Sequence, residues 1–215
     1  MKKFVIIAVA LTAAMVLALA GCGKKTQTET TQLLGGWQLT ASPVVTEEVR
    51  GLLDKALEGY TGAGFEPVAY VATQVVAGTN HLLVCRTAPV VPGAIETWAL
   101  VTLYQDLEGN VTISDVQNSG VETYVNGLMG GWQLPESPVI SADLANSIEK
   151  ALEGFTGSKV TPVALLSQQV VAGMNYKLLA QVSPVSQDPK PAWALVTIYV
   201  DLQGNAQISD ITKFE

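Results

Sequence analysis

Few side chains in this sequence could take part in catalysis. The 215 residues include one histidine, His81, and two cysteines, Cys22 and Cys85. Acid–base and nucleophilic catalysis usually need a histidine beside its partner groups, and zinc needs a set of histidine and cysteine ligands. His81 has no such set and is expected on a strand surface, while Cys85 lies in an apolar stretch that favours an inert, buried thiol. We therefore expect no enzyme activity, no cofactor and no metal site.

Cys22 is the side chain for which the sequence indicates a covalent modification. It follows Leu19-Ala20-Gly21, an ending that resembles the bacterial lipobox, which implies lipidation of the thiol and cleavage before Cys22. Two lysines and an apolar run from Phe4 to Ala20 have the layout of a secretory signal peptide. A stop-transfer anchor and an unmodified secreted cysteine are the alternatives. We expect residues 1–21 to be a lipoprotein signal peptide, with Cys22 anchored to the extracytoplasmic face of a bacterial membrane.

Charge and composition restrict the partners of the exported chain. Residues 23–32 have no apolar side chain, so we expect residues 22–32 to be a flexible tether. Without Lys2 and Lys3, 19 acidic residues face ten basic ones, a formal charge of −9. This charge argues against nucleic acid as a partner and against electrostatic adhesion to anionic lipid. With Cys22 lipidated, no intramolecular disulfide is possible, and the fold must depend on its apolar core.

The chain after the tether is an internal repeat with an offset of 95 residues and no insertion. The strongest matches to later segments are at 33–39, 74–78, 98–102 and 106–110. We expect two domains of one fold, the first repeat at residues 33–117 and the second at 128–215, joined by a polar linker at 118–127. The length of the repeat suits a small domain better than a unit of a solenoid.

Each repeat has the pattern of one helix followed by antiparallel strands. Thr46 and Ser141 are candidate N-caps, and Gly59 and Gly154 are placed to end the helices. In the first repeat the helix is followed by extended stretches at about 67–76, 80–86, 98–105 and 111–116, with a short strand possible at 38–39. The pattern predicts an α+β fold in which each repeat is one helix wrapped by a four- to five-stranded antiparallel sheet.

A five-residue motif carries a resemblance to a known family. Gln74-Val75-Val76-Ala77-Gly78, with Asn80 after it, is similar to the central motif of the cystatins, above all in the stefin and plant-cystatin branches. The motif recurs at 169–173, and a glycine pair lies 38 residues before each Gln, with a predicted helix between. The resemblance covers both repeats almost end to end. It implies two tandem cystatin-like domains.

The resemblance also implies a function, because cystatins inhibit papain-like cysteine peptidases. They block the substrate cleft reversibly with three elements: an N-terminal trunk, the Gln-Val-Val-Ala-Gly loop and a second hairpin turn. It implies that this chain binds up to two peptidases. The candidate partner-binding residues are Leu34, Gly35, Gly36, Met129, Gly130 and Gly131 in the trunks, Gln74, Val75, Val76, Ala77, Gly78, Gln169, Val170, Val171, Ala172 and Gly173 in the loops, and Leu107, Gly109, Leu202 and Gly204 in the second turns.

The second hairpin turn departs from the family pattern. Many cystatins have Pro-Trp there and stefins have Leu-Pro-Gly, whereas the turns here are Leu-Glu-Gly at 107–109 and Leu-Gln-Gly at 202–204. Trp98 and Trp193 precede a strand and are expected in the core. Trp37 and Trp132 could pack on the sheet or contact a partner. The alternative function is a non-inhibitory protein-binding module of cystatin fold on the cell surface.

Overall fold

The computed structural model describes residues 36–123, 130–187 and 189–215. The first repeat contains β1 (Gln38–Leu39), α1 (Glu47–Ala56), β2 (Ala63–Val76), β3 (Gly78–Pro89), β4 (Thr97–Gln105) and β5 (Val111–Glu122). The second contains β6 (Trp132–Gln133), α2 (Ala142–Leu152), β7 (Ser158–Val171), β8 (Gly173–Pro184), β9 (Ala192–Val200) and β10 (Ala206–Lys213). The predicted signal peptide, the lipidation at Cys22, the tether, Leu34, Gly35 and Met129 lie outside the described residues. Across the described ranges, no helix is long and apolar enough to cross a membrane.

Both helices begin at the predicted caps. The Thr46 hydroxyl accepts a hydrogen bond from the Val49 amide at 3.3 Å, which satisfies a backbone donor that the first helical turn leaves unpaired. Ser141 does the same for the amide of Leu144, also at 3.3 Å. The apolar side of each helix is buried, at Val49 and Leu53 in α1 and at Leu144, Ile148 and Ala151 in α2.

Each repeat forms one five-stranded antiparallel sheet, with the strands in the order β1-β2-β3-β4-β5 and β10-β9-β8-β7-β6. In the first repeat, Thr79 near the start of β3 pairs with Val75 of β2 and with Gln105 of β4. In the second, Met174 pairs with Val170 and Val200. The β2–β3 turn and the β4–β5 turn therefore lie at the same end of the sheet, and so do their counterparts.

The prediction of an α+β fold with two cystatin-like domains, each a helix wrapped by a sheet, is wrong. The molecule is mostly β, and its two sheets pack on each other through a common core. Along β3, Leu83 and Cys85 face the helix side, while Leu82 and Val84 face the other sheet. The helix therefore covers only one of two apolar faces. The shared core consists of Ala69, Val71, Ala72, Leu82, Val84, Trp98 and Leu100 from the first repeat and Ala164, Leu166, Leu179 and Leu195 from the second.

The two repeats are also joined by backbone contacts. Residues 32–215 form one compact unit. The Asn118 amide donates to the Glu215 carbonyl at 3.1 Å, and the Glu215 amide donates back to the Asn118 carbonyl at 3.3 Å. Residues 118–122, expected in the linker, belong to β5. The two repeats thus share a core and a pair of backbone hydrogen bonds between Asn118 and Glu215, so we expect them to unfold together.

Candidate binding ends of the two repeats

The three elements predicted to contact a partner lie at one end of each sheet. Gln38, at the start of β1, pairs with Thr73 near the end of β2, so Gly36 and Trp37 lie beside the motif turn. The β4–β5 turn starts after Gln105, which is level with that turn. The second repeat repeats this register, with Trp132 opposite Gln169. We call three elements the binding end of a repeat: residues 36–37 before β1 or 130–131 before β6, the β2–β3 or β7–β8 turn, and the β4–β5 or β9–β10 turn.

The glutamine of the motif joins the trunk to the turn. In the second repeat, the Gln169 side-chain amide donates to the Gly130 carbonyl at 2.8 Å, and its oxygen accepts from the Asn175 amide at 2.8 Å. In the first repeat, Gln74 accepts from Asn80 at 2.7 Å. The asparagine was not among the predicted site residues, although its recurrence two residues after the motif was a usable signal.

The glycine of the motif is required by close packing between two turns. Gly78 has φ +128°, and a Cβ there would collide with the carbonyl oxygen of Gln105 and lie 3.0 Å from the Tyr104 ring. Tyr104 also donates a hydrogen bond to the Ala77 carbonyl at 2.5 Å. The motif turn is thereby fixed against the end of β4. The equivalent residues of the second repeat are Gly173, at φ +126°, Tyr199 and Ala172, with a hydrogen bond of 2.6 Å.

The tips of both turns present aliphatic side chains to solvent. Val75 and Val76 at the motif turn are exposed, and so are Val170 and Val171. Leu107 in the β4–β5 turn is 81% exposed, and its counterpart Leu202 is 76% exposed. The turns expose these aliphatic side chains to solvent. An apolar surface on a partner could cover them. Each binding end thus combines an apolar tip with a fixed backbone.

The carboxylate of each second turn has a structural role. One oxygen of Asp106 accepts from the backbone amides of Glu108 at 3.0 Å and Asn110 at 2.8 Å, and the other accepts from the Asn110 side chain at 2.7 Å. The Asn110 side-chain bond, with these backbone amides, lowers the pKa of Asp106 below its ordinary value. Gly109, at φ +87°, completes the turn. Asp201, Asn205 and Gly204 repeat the arrangement.

The tryptophan after the trunk glycines differs between the repeats. Trp37 is exposed. The Trp132 ring has the ammonium of Lys177 4.5 Å from its centroid, an arrangement in which the ring face attracts the cation. Lys177 is buried, and this burial lowers its pKa, partly offset by the charge of Asp210. Trp132 therefore packs on its own sheet, whereas Trp37 is partly exposed beside the motif turn.

His81 is buried between the helix and the sheet, so its prediction as a surface residue is wrong. The Tyr70 hydroxyl lies 2.8 Å from His81 Nδ1, and His81 Nε2 lies 3.3 Å from Gln105 Oε1. Since an amide oxygen only accepts, neutral His81 donates from Nε2 and accepts from Tyr70 at Nδ1. Burial lowers the pKa of His81 and raises that of Tyr70 to about 12. Both ring nitrogens are thus occupied by structural bonds.

Cys85 is buried in the strand core, and burial raises the pKa of its thiol, as expected for an inert cysteine. In the part of the chain that the structure describes, no three histidine, cysteine, aspartate or glutamate side chains are grouped as a metal site requires. Trp98 is buried in the shared core, as predicted.

Comparisons with protein-family models and with curated proteins found no match to this chain. The assignment of the candidate site therefore rests on the geometry of the binding ends and on the Gln-Val-Val-Ala-Gly motif. The structure brings together all the predicted partner-binding residues that it describes, at two binding ends. Tyr104 and Tyr199, which hold the motif turns, were not among them. Their signal was a tyrosine repeated at the same position, just before the second turn.

Proposed function

We propose that each binding end blocks the active-site cleft of a papain-like cysteine peptidase by reversible, non-covalent binding. The observation that carries the proposal is the strand register, which brings the described residues before β1 and β6, the motif turn and the second turn to one end of each sheet. The motif at these ends resembles that of the cystatins. Two such ends give a proposed capacity of two peptidases per chain.

The physical basis of the blockade is an apolar tip on a preorganised backbone. Val75 and Val76 are exposed, and a hydrophobic cleft that covers them gains free energy from the apolar area removed from water. The bond from Tyr104 and the close packing of Gly78 fix the turn before binding, so little conformational entropy is lost on association. No covalent step is needed, and no peptide bond of the inhibitor has to be cut.

A second candidate function uses the same ends without inhibition. Glu108 places a carboxylate at the exposed second turn of the first repeat, next to Leu107. A charge there disfavours an apolar pocket, because a buried carboxylate must be paired. A protein partner with a cation facing Glu108 would then bind the first repeat without any effect on a peptidase.

We further propose that the inhibitor acts at a membrane surface, because residues 1–22 have the pattern of a lipoprotein signal and lipidation site. Acyl chains on Cys22 would hold the chain at the bilayer, at roughly 0.8 kcal/mol per buried CH₂ group. Metabolic labelling with a fatty acid should label the full chain and leave the Cys22→Ser chain unlabelled. A Cys22→Ser chain that still takes up the label is not lipidated at Cys22.

The test of inhibition uses the chain from residue 22 onward with Cys22→Ser, which contains the whole compact unit. It is titrated against papain and against a cathepsin with a fluorogenic substrate. Val76→Asp should abolish inhibition by the first repeat and Val171→Asp inhibition by the second, so that the stoichiometry falls from two to one in each. Both valines are similarly exposed, at 42% and 41%, so neither change should affect folding.

The matched control is Val116→Asp, at an exposed valine on β5 away from the binding end. It should leave the stoichiometry at two. The proposal fails if micromolar protein leaves both peptidases fully active. If peptidase still binds in a pull-down while its activity is unchanged, the second candidate function replaces the first.

A further inference from the structure

The loop between β3 and β4 of the first repeat exposes aliphatic side chains outside the binding ends. Val90, Val91 and Ile95 are 74%, 60% and 57% exposed, and residues 89–95 include no charged side chain. The corresponding loop of the second repeat also has an exposed valine, Val185, but continues with polar and charged residues. A cluster of exposed aliphatic groups in only one repeat is not explained by the fold, and such clusters mark contact surfaces.

This loop has a fixed backbone. The Val90 amide donates to the Gly62 carbonyl at 2.9 Å, and the Ala94 amide donates to the Val91 carbonyl at 3.2 Å. The first bond fastens the loop to the connection between α1 and β2, and the second closes a tight turn. The aliphatic tips are thus held outward by hydrogen bonds, which lowers the entropy cost of binding.

The loop lies near the binding end of the second repeat. The Thr123 amide donates to the Glu96 carbonyl at 2.9 Å, which places Thr123 next to Ile95. Gly130, seven residues later, belongs to the second binding end and accepts from Gln169. Seven residues of chain span at most about 25 Å. Thr123, beside the loop, and Gly130, in the second binding end, are therefore no farther apart than that.

A cleft between the repeats supports the same placement. Arg86 is near the end of β3 and forms an ion pair with Glu96, at 3.1 Å. Arg86 also lines a cleft of about 250 Å³ together with Leu134 and Pro135, which directly follow β6. The residues that follow β6 therefore lie near the end of β3, a few residues before the loop begins.

We infer that residues 89–95 are a second contact for the peptidase held by the binding end of the second repeat. The inference rests on the proposed function. A standard interface covers roughly 800 Å² of each partner, a patch about 30 Å across, which is wider than the largest possible separation of Thr123 and Gly130. The loop is uncharged and aliphatic, so the surface it fits is an apolar patch beside the substrate cleft. Peptidases with such a patch are bound more tightly by the second repeat than by the first.

The experiment isolates each binding end in turn. Val90→Ser, Val91→Ser and Ile95→Ser are combined in two backgrounds, Val76→Asp, where only the second end is active, and Val171→Asp, where only the first is active. The inhibition constant should rise about tenfold in the first background and stay within about twofold in the second. Val185→Ser is the matched control and should have no effect in the Val76→Asp background.

The outcomes separate this inference from the proposed function. If the Val76→Asp chain inhibits and the triple change leaves its inhibition constant unaltered, residues 89–95 are not a contact. An equal rise in both backgrounds also overturns the inference, because it would indicate a general loss of structure. If the Val76→Asp chain does not inhibit at all, the proposed function of the second repeat fails, and the inference fails with it.

Discussion

The phenol of Tyr104 donates a hydrogen bond to the carbonyl oxygen of Ala77, over 2.5 Å. Tyr199 and Ala172 repeat the bond at 2.6 Å in the second repeat. Each bond joins the end of a strand to the tip of the neighbouring turn, across 27 residues of sequence. Two of the three elements of a binding end are thereby held at a fixed separation, as the proposed entry of both into one cleft requires.

Removing this hydrogen bond should weaken both the fold and inhibition. The bond contributes about 1 kcal/mol to stability, so Tyr104→Phe should lower the free energy of unfolding by at most about that amount, measured by urea denaturation. A turn that has lost this restraint must be ordered on binding, so in the Val171→Asp background the inhibition constant of the first repeat should rise by up to about fivefold. Tyr60→Phe, in the connection between α1 and β2, is the control and should not alter inhibition. An unchanged inhibition constant in Tyr104→Phe would show that the turn is held by other contacts.

Gly78 should tolerate no side chain. Gly78→Ala places a Cβ against the Gln105 carbonyl and requires a positive φ, a combination that costs on the order of 1–3 kcal/mol. We expect a lower urea midpoint together with loss of inhibition by the first repeat. Gly64→Ala is the matched control, because its Cβ would meet open space and its φ is not positive. Equal stability of the two variants would contradict the packing of the two turns.

Features set by neighbouring residues could be predicted from the sequence. The helix starts at Thr46 and Ser141 depend on a hydroxyl within three residues of the amide that it caps, and the motif turn depends on one glycine. The resemblance named the three elements that the strand register brings to one end of each sheet. Each of these features involves contacts that are either local or repeated 95 residues later.

The partner of the second sheet face could not be predicted in this way. The run Leu82-Leu83-Val84-Cys85 is apolar at every position, which is typical of a strand buried on both faces. This apolar run does not show what covers the face opposite α1, whether a helix, another sheet or another molecule. The same limit applies to His81, whose burial depends on Tyr70 and Gln105, 11 and 24 residues away.

The shared core should make the two repeats unfold together. Leu166 of the second repeat is buried in this core, and Leu166→Ala is expected to cost about 2–5 kcal/mol. Cys85, buried in the first repeat, then reports on unfolding of the whole unit. In the Cys22→Ser chain, Leu166→Ala should make the labelling of Cys85 by a thiol reagent at least about 30-fold faster. A decrease of about 2 kcal/mol in the free energy of opening raises the open fraction by this factor.

The control for this experiment is Leu202→Ala, at a side chain that is largely exposed. It should leave the labelling rate of Cys85 unchanged. If Leu166→Ala lowers the melting temperature without any faster labelling, the second repeat unfolds by itself. The sheets would then be in contact without being thermodynamically coupled.

His81 should make the stability of the chain depend on pH near neutrality. Burial lowers its pKa below the ordinary 6.5, against smaller opposing effects of Gln105 and Glu48. The unfolded chain therefore takes up a proton at higher pH than the folded chain does. Above about pH 6.5, His81 should make the free energy of unfolding no more and no less pH-dependent. Below that pH, the free energy of unfolding should decrease as the pH falls through the pKa of His81 in the folded chain.

His81→Gln removes the titrating group and keeps a side chain that can donate and accept. Because His81 is the only histidine in the sequence, the slope of unfolding free energy against pH should be smaller in this variant between about pH 5 and 6.5. Urea denaturation at several pH values measures it. Tyr176→Gln, at the equivalent position of the second repeat, should keep the slope of the unchanged chain. If His81→Gln keeps that slope as well, His81 takes up its proton equally in both states, and burial between Tyr70 and Gln105 does not disfavour its charge.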